Sequence, residues 1–321
     1  MTVRLTVDRA AWDSHVAGAL GSYGDGVVSV VKGNGYGITR SFLHGVAAAN
    51  GARLVCVGTV HELADVPNEL TAVVLTPTLT APAGTGAILT VGSLEHVRAL
   101  EGWAGIVMVK LASSMRRYGA TVSQLAALTT AIDGAGLQVA GFGLHLPLQG
   151  DDDSRVAEVE AWLPHLPPTA EVWVSHLRPE TFHALSAAHP ARRFRIRLGT
   201  ALWHGIPRGG FVQLTADVIQ TQRVRAGEVA GYRQTVVSFD GTLVAIGAGS
   251  TNGIALLDDV DAGRRKSPFH FQGQRLTLLE QPHMHTSLAV IPAGQPCPRV
   301  GEWVDVQRPL ISTNADELLW I

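Results

Sequence analysis

The feature that most constrains this chain is a series of eight short, β-rich apolar runs within its first 200 residues, with helical patterns between them. The runs are GVVSVVK (26–32), RLVCVGTV (53–60), TAVVLTP (71–77), GAILTV (86–91), GIVMVKL (105–111), LQVAGFGLH (137–145), EVWVSH (171–176) and RFRIRLG (193–199). Helical periodicity appears in 40–50, 93–102, 123–136, 153–166 and 179–189. Strands alternating with helices in this number predict an α/β fold, a (β/α)8 barrel of roughly 200 residues. A doubly wound open sheet is the competing arrangement. From Phe211 the texture becomes strand and turn, and Phe239-Asp240-Gly241 marks a hairpin. The predicted organisation is a barrel over 1–210 followed by a C-terminal all-β domain over 211–321, with RLTVD (4–8) available to add a strand to the latter.

Charge narrows the function classes. A net charge of -2 over 321 residues argues against nucleic acid or an anionic membrane as the main partner. No apolar run approaches the ~20 residues of a membrane helix, and the N-terminus MTVRLTVDRAAWD lacks the apolar core of a signal peptide. Cys56 and Cys297 are the only cysteines, so no disulfide framework is implied. These features predict a soluble, cytoplasmic protein.

Lysine is scarce: Lys32, Lys110 and Lys266 stand against 22 arginines, the remainder of 25 basic residues. Two of the three fall where predicted barrel strands end, and barrel chemistry gathers at the C-terminal strand ends. Lys32 ends the first strand and Lys110 the fifth; His145, His176 and Arg197 stand at the ends of the sixth, seventh and eighth. Taken singly, a lysine there reads equally as a solvated cap, and a histidine as a hydrogen-bonded core residue. Taken together, they suggest imine chemistry. Burial and nearby positive charge lower a lysine's pKa and leave its amine nucleophilic. A carbonyl cofactor such as pyridoxal phosphate would use that amine. Its phosphate would need backbone N–H donors from a glycine-bearing turn, as in GNGYG (33–37) or Leu198-Gly199-Thr200.

VKGNGYG (31–37) resembles the VKANAYGHG signature of the alanine racemase family, fold-type III pyridoxal phosphate enzymes. The resemblance continues in order through VKLASSMRRYG (109–119), GFGLH (141–145), FRIRLGTALWHG (194–205), AGEVAGYRQT (226–235) and PHMHTS (282–287). It implies that Lys32 is the Schiff-base lysine and one catalytic base, and that Tyr36 holds the phosphate. Lys110 falls on a lysine often carbamylated, and Arg117 on the arginine near the substrate carboxylate and the cofactor hydroxyl. His145 falls against the pyridine ring, and Arg197 on the arginine facing the pyridine nitrogen. Gly199 and Thr200 fall on phosphate-binding backbone, His176 on the histidine of the family's HxxNS, and Met284 on a methionine whose backbone reaches the substrate. A guanidinium stays protonated and keeps the pyridine nitrogen unprotonated. That weakens the ring as an electron sink and suits brief Cα deprotonation and return.

The sequence also departs from the family. The family's second base, a tyrosine in GYADG supplied by the partner subunit, falls on Ala248. The asparagine and serine of HxxNS fall on Pro179 and Glu180. The aspartate after the family's methionine is His285, and the late phosphate tyrosine falls near Asp316. His283 and His285, two apart on an apparent strand, are the leading replacements for the second base, with His285 the residue assigned. Their competing readings are a hydrogen-bonded pair and a His-x-His metal site, which two ligands alone support weakly; Tyr232 and Ser250 stand further back. The expected protein is a homodimeric pyridoxal phosphate-dependent amino acid racemase or epimerase with shared active sites and no resident metal. The alternatives are a pyridoxal phosphate-dependent lyase of the D-amino acid aldolase or dehydratase type, and a non-catalytic cofactor-binding protein. Ala248, Ser250 and Asn252 hint at a substrate side chain larger or more polar than alanine's.

Overall fold

The computed structural model describes residues 2–84, 86–259 and 264–321. They form two compact units, Ser14–Gly35 with Thr39–Ile206, and Met1–Asp13 with Tyr36–Ile38 and Pro207–Ile321. The chain opens with strand β1 (Val3–Val7), which belongs to the second of these, and helix α1 (Arg9–Tyr23).

The first unit is a closed barrel of eight parallel strands: β2 (Val27–Val30), β3 (Leu54–Val57), β4 (Thr71–Val74), β5 (Ile88–Val91), β6 (Ile106–Lys110), β7 (Gln138–Gly143), β8 (Val172–Val174) and β9 (Phe194–Leu198). The circle closes where β2 pairs with β9, Val28 opposite Arg197. All eight predicted strands are present, so the open-sheet alternative is excluded. They are short and buried on nearly every residue, because layers cover both faces of a parallel sheet. Val28, Val30, Cys56, Val73, Ile88, Met108 and Trp173 pack together inside the barrel as one apolar cluster. That filled interior confines reactive side chains to the rim.

Helices α2 (Arg40–Ala49), α3 (Leu94–Arg98), α4 (Val122–Gly134), α5 (Asp152–Trp162), α6 (Pro179–Ala188) and the short α7 (Thr200–Trp203) occupy connections between strands or follow the last one. Local chemistry marks their starts. The Thr121 N–H donates to Gln124 Oε1 at 3.0 Å before α4, and Asp151 Oδ1 accepts the Ser154 N–H at 2.8 Å before α5. Two connections depart from simple alternation. Residues Val60–Asp65 form a 3-10 helix, and the described residues between β4 and β5 contain no helix. Helix α1 was not among the predicted elements. Its alanines, glycines and serines give it no distinct apolar stripe, although Trp12 is fully buried.

The second unit is all-β apart from short turns, and mostly antiparallel. The long strand β10 (Val212–Val224) pairs with β1, with Gly241–Ile246 and with Trp303–Val306. Strand Ser287–Pro292 adds to Gly241–Ile246, and Glu317–Trp320 runs parallel to β1.

Candidate active site

Within the barrel unit, Lys32 lies two residues beyond β2, Lys110 ends β6, His145 lies two beyond β7, and His176 two beyond β8; Arg197 is the penultimate residue of β9. The fold brings these five and Arg117, from the loop after β6, into one electrostatic group. Lys32 is solvent-accessible as a whole. Even so, the barrel wall around its ammonium lowers its pKa, chiefly through desolvation and then through Arg117; Arg197 adds to this while Glu62 and Cys56 oppose it. Lys110 is 5% exposed and donates from Nζ to Leu111 O at 2.9 Å and Gly143 O at 3.3 Å. Burial, then Arg197 and Arg117, pull its pKa down to about 7.

The two histidines pack with ring centroids 5.0 Å apart. His145 Nδ1 is 2.9 Å from Ser175 Oγ, and burial followed by Arg197 and His176 drives its pKa to about 2. His176 has φ 60, in the left-handed region where only a constrained non-glycine residue sits. Burial and then Arg155 and Arg197 take its pKa to about 4. Both imidazoles are therefore neutral at pH 7. Arg197 is buried and donates from Nη2 to Leu144 O at 2.6 Å. Burial lowers its pKa, but a guanidinium is not deprotonated at working pH and remains charged.

Two features of the rim were not read from sequence. Glu62 accepts the N–H of Gly33 at 3.1 Å and of Gly58 at 2.7 Å, placing a carboxylate where it acts on Lys32. A β carbon at Gly58 would lie 3.0 and 3.1 Å from the Glu62 oxygens and 3.3 Å from Lys32 Cβ, so glycine leaves the carboxylate room without displacing it. The place of Glu62 just after β3, at a strand end, is the one sequence signal that could have pointed to it. The second feature is Asp152, which accepts from the Arg178 backbone at 2.9 Å and from Arg155 at 2.9 Å. Burial would raise its pKa, but bonds from Arg178, Thr181 and Arg155 outweigh that and hold it at about 2. This knot ties the start of α6, where the divergent Pro179 and Glu180 lie; Glu180 is exposed in the first helical turn.

Three residues assigned from sequence lie in the other unit. Tyr36 is 4% exposed and has φ 58 within a Gly35–Gly37 turn. Met284 is exposed, and its carbonyl accepts from Thr251 N at 3.0 Å and Thr251 Oγ1 at 2.7 Å. His283 and His285 are not on a strand, contrary to the sequence expectation. They occupy a turn before Ser287–Pro292, closed by His283 N donating to Thr286 O at 2.8 Å. They therefore do not share a strand face. His283 Nε2 bonds Glu280 Oε1 at 2.5 Å, while His285 Nδ1 is 3.1 Å from Thr251 Oγ1. Among the described residues no group of three or more His, Cys, Asp or Glu side chains is arranged to hold a metal ion. The turn is laced to the segment carrying Ala248: Ser250 N donates to His283 O at 2.8 Å, and Ser287 Oγ to Ala248 O at 2.7 Å. Ala248 is fully buried. Tyr232 is 86% exposed with its ring edge 4.7 Å, centroid to centroid, from His283.

The donor set at the barrel rim fits pyridoxal phosphate. Two arginines and two lysines crowd one mouth, and each lysine's pKa is lowered by the arginines, so the site carries an excess of positive charge. Glu62 is already committed to backbone N–H groups. A phosphate-bearing ligand supplies the missing negative charge. Lys32 would supply the amine for its carbonyl, and Arg197 would meet the ring nitrogen. Neutral His145 would pack on the ring. The leading N–H groups of α7, at Gly199 and Thr200, follow β9 and would take the phosphate.

The family model described as "Alanine racemase, N-terminal domain" matches residues 7–206. No curated protein matches by sequence. Among solved structures, the alanine racemase of Bartonella henselae with covalently bound pyridoxal phosphate is similar at TM-score 0.76 and 18% identity, covering 100% of both chains. That of Bacillus anthracis with bound L-Ala-P has TM-score 0.73 and 17% identity, covering 99% of this chain and 88% of that one. That of Acinetobacter baumannii has TM-score 0.71 and 15% identity, covering 100% and 99%. At these identities the likeness is one of fold. The family match spans well over half the chain: the protein belongs to the alanine racemase family of fold-type III pyridoxal phosphate enzymes.

Proposed function

We propose that the protein is an amino acid racemase or epimerase acting at Cα, with pyridoxal 5'-phosphate as its cofactor. When bound, the cofactor supplies a carbonyl that takes up amines and a ring that accepts electron density from Cα. The observation that carries the reading is the Lys32 amine, held below its ordinary pKa by burial and by Arg117 at the mouth of the barrel.

The chain's own residues divide the work. Lys32 tethers the cofactor and exchanges a proton on one face of Cα, for which a depressed amine pKa is suited. Arg197 remains cationic and donates to the ring nitrogen. Arg117 receives the substrate carboxylate and the cofactor hydroxyl. His145 and His176, neutral at working pH, add no charge to the ring's surroundings. Tyr36, Gly199 and Thr200 hold the phosphate, and the Met284 backbone faces the substrate. With alanine at position 248, His285 of the partner subunit exchanges the proton on the opposite face in a homodimer. The reading includes a cytoplasmic location; no helix among the described residues is long and apolar enough to cross a membrane.

The test is the absorbance spectrum of purified protein and of Lys32→Ala, followed by NMR of Cα–H exchange in D2O over a panel of L- and D-amino acids. The expected result is a visible cofactor band that Lys32→Ala lacks, and exchange accompanied by the opposite enantiomer, reduced about a hundredfold to ten-thousandfold in the variant. Exchange with retention, or loss of the side chain, would replace the racemase with a lyase. A panel in which alanine alone reacts would remove the expectation of a larger side chain.

A further inference from the structure

The loop after β6 presents Arg117 on a phenol. Its two ends are stitched together: Ala112 N donates to Ala120 O and Ala120 N to Lys110 O, both at 2.8 Å. Gly119 makes that closure possible. It has φ +134, and a β carbon would come within 2.5 Å of the Leu111 backbone. Farther out, Ser114 N and Oγ donate to the Glu158 carboxylate at 2.7 and 2.8 Å, and Trp162 Nε1 donates to Ala112 O at 3.0 Å. The loop is thus a fixed platform on the barrel rim.

On that platform Arg117 is exposed, and among the described residues it pairs with no carboxylate. Its neighbour Tyr118 holds it in two ways. Arg117 Nη2 donates to Tyr118 Oη at 3.2 Å, and the guanidinium carbon sits 4.6 Å from the Tyr118 ring centroid. The phenol is anchored in turn, because its hydroxyl donates to Leu75 O at 3.3 Å, just beyond β4. The hydroxyl proton is therefore directed at a carbonyl, and a lone pair is left for the guanidinium. One of the five guanidinium N–H donors is used in this contact. A free arginine side chain carries about 2 kcal/mol of rotamer entropy, so one already held by a ring face and a hydroxyl loses less on binding.

We propose that Tyr118 is a positioning residue for substrate recognition: it orients the Arg117 guanidinium so that its remaining donors receive the α-carboxylate of an amino acid. The inference rests on the functional reading above, in which Arg117 meets that carboxylate. Tyr118 acts through Arg117 and leaves proton transfer to other groups.

Two readouts test it. In the steady state, Tyr118→Phe keeps the ring and loses the hydroxyl; KM for the amino acid rises about tenfold and kcat changes less than about twofold. Tyr118→Leu, which also loses the ring face, raises KM further, toward the value for Arg117→Gln. The second readout needs no cofactor. With only three lysines in the chain, lysine labelled with 13C at Cε gives three NMR signals, and Lys32 reports the charge of Arg117. Arg117→Gln moves the Lys32 titration upward, and Tyr118→Phe moves it part of the way. If Arg117→Gln shifts both KM and the Lys32 titration while Tyr118→Phe matches wild type in both, the positioning role is wrong. A Tyr118→Phe variant with lowered kcat and unchanged KM also overturns it, by placing the phenol in the chemical step. Unchanged KM in Arg117→Gln would instead overturn the functional reading of Arg117 itself.

Discussion

The barrel rim and the turn at residues 283–286 both set histidines beside charged groups, and they do so in opposite ways. At the rim the charges are shared. Arg197 contributes to lowering the pKa of Lys32, Lys110, His145 and His176, and Arg117 to three of those four. In the turn each histidine has its own partner: Glu280 for His283, and Thr251 for His285. A shared cationic field is relieved best by an anion from outside the chain, whereas a private carboxylate satisfies its histidine on the spot. The first arrangement suits an anionic ligand. The second resembles a local structural lock, and only its less constrained histidine is free of a carboxylate.

The sharpest way to break this contrast is His285→Ala. With His285 as the second proton-transfer group, formation of the opposite enantiomer falls by about a hundredfold to ten-thousandfold, while Cα–H exchange with retention persists for one enantiomer. Chiral chromatography beside NMR exchange measures both. An equal loss from His283→Ala, with none from His285→Ala, would transfer the role to the histidine that has a carboxylate partner.

A smaller effect is expected from Glu280→Gln. The Glu280 side chain is 5% exposed and receives Tyr232 N, Arg233 N, Thr235 Oγ1 and His283 Nε2. Burial would raise its pKa, but these donors outweigh that and hold it below the usual range. The amide keeps the shape and loses the charge, so urea denaturation should show a loss of about 2 kcal/mol. A change within about 0.5 kcal/mol would mean that the lock contributes nothing to stability.

The smallest effect, per pH unit, concerns Lys110. Its pKa in the folded chain is about 7, below the ordinary lysine value, so between those limits the unfolded chain binds more protons than the folded one. Stability therefore rises with pH from about 7 toward the ordinary lysine value of ~10.4, and the burden of the buried ammonium is full below about 7. One proton sets a ceiling of about 1.4 kcal/mol per pH unit on that slope. Lys110→Met should flatten it, as measured by chemical denaturation at several pH values. An unaltered slope would show that Lys110 keeps its proton in the folded chain.

How much of this was legible beforehand follows from the range of each interaction. The eight strands were readable because a buried parallel strand writes its burial into three to six consecutive residues. Helix α1 was not, because its small residues leave no periodic stripe and its burial depends on what packs around Trp12. Lys32, Lys110, His145, His176 and Arg197 could be placed at the rim because position along a strand is a local property. Their partners could not. Glu62 meets Gly33 across 29 residues and Ser175 meets His145 across 30, distances that neither periodicity nor motif encodes. The strand expected under His283 and His285 failed for a similar reason. Apolar neighbours suggested continuation of Ser287–Pro292, but Thr286 closes a turn through its own carbonyl.

The sequence by itself determined the barrel, the order of its strands, the family, and which residue types stand at the strand ends, because these depend on short-range pattern and on motifs of a few residues. Only the tertiary structure decided the chemical state of those residues. The pKa of a lysine falls, and two histidines become neutral, through desolvation and through charges that approach from strands far apart in the chain. Those effects fall off over a few ångströms of space and have no counterpart along the sequence.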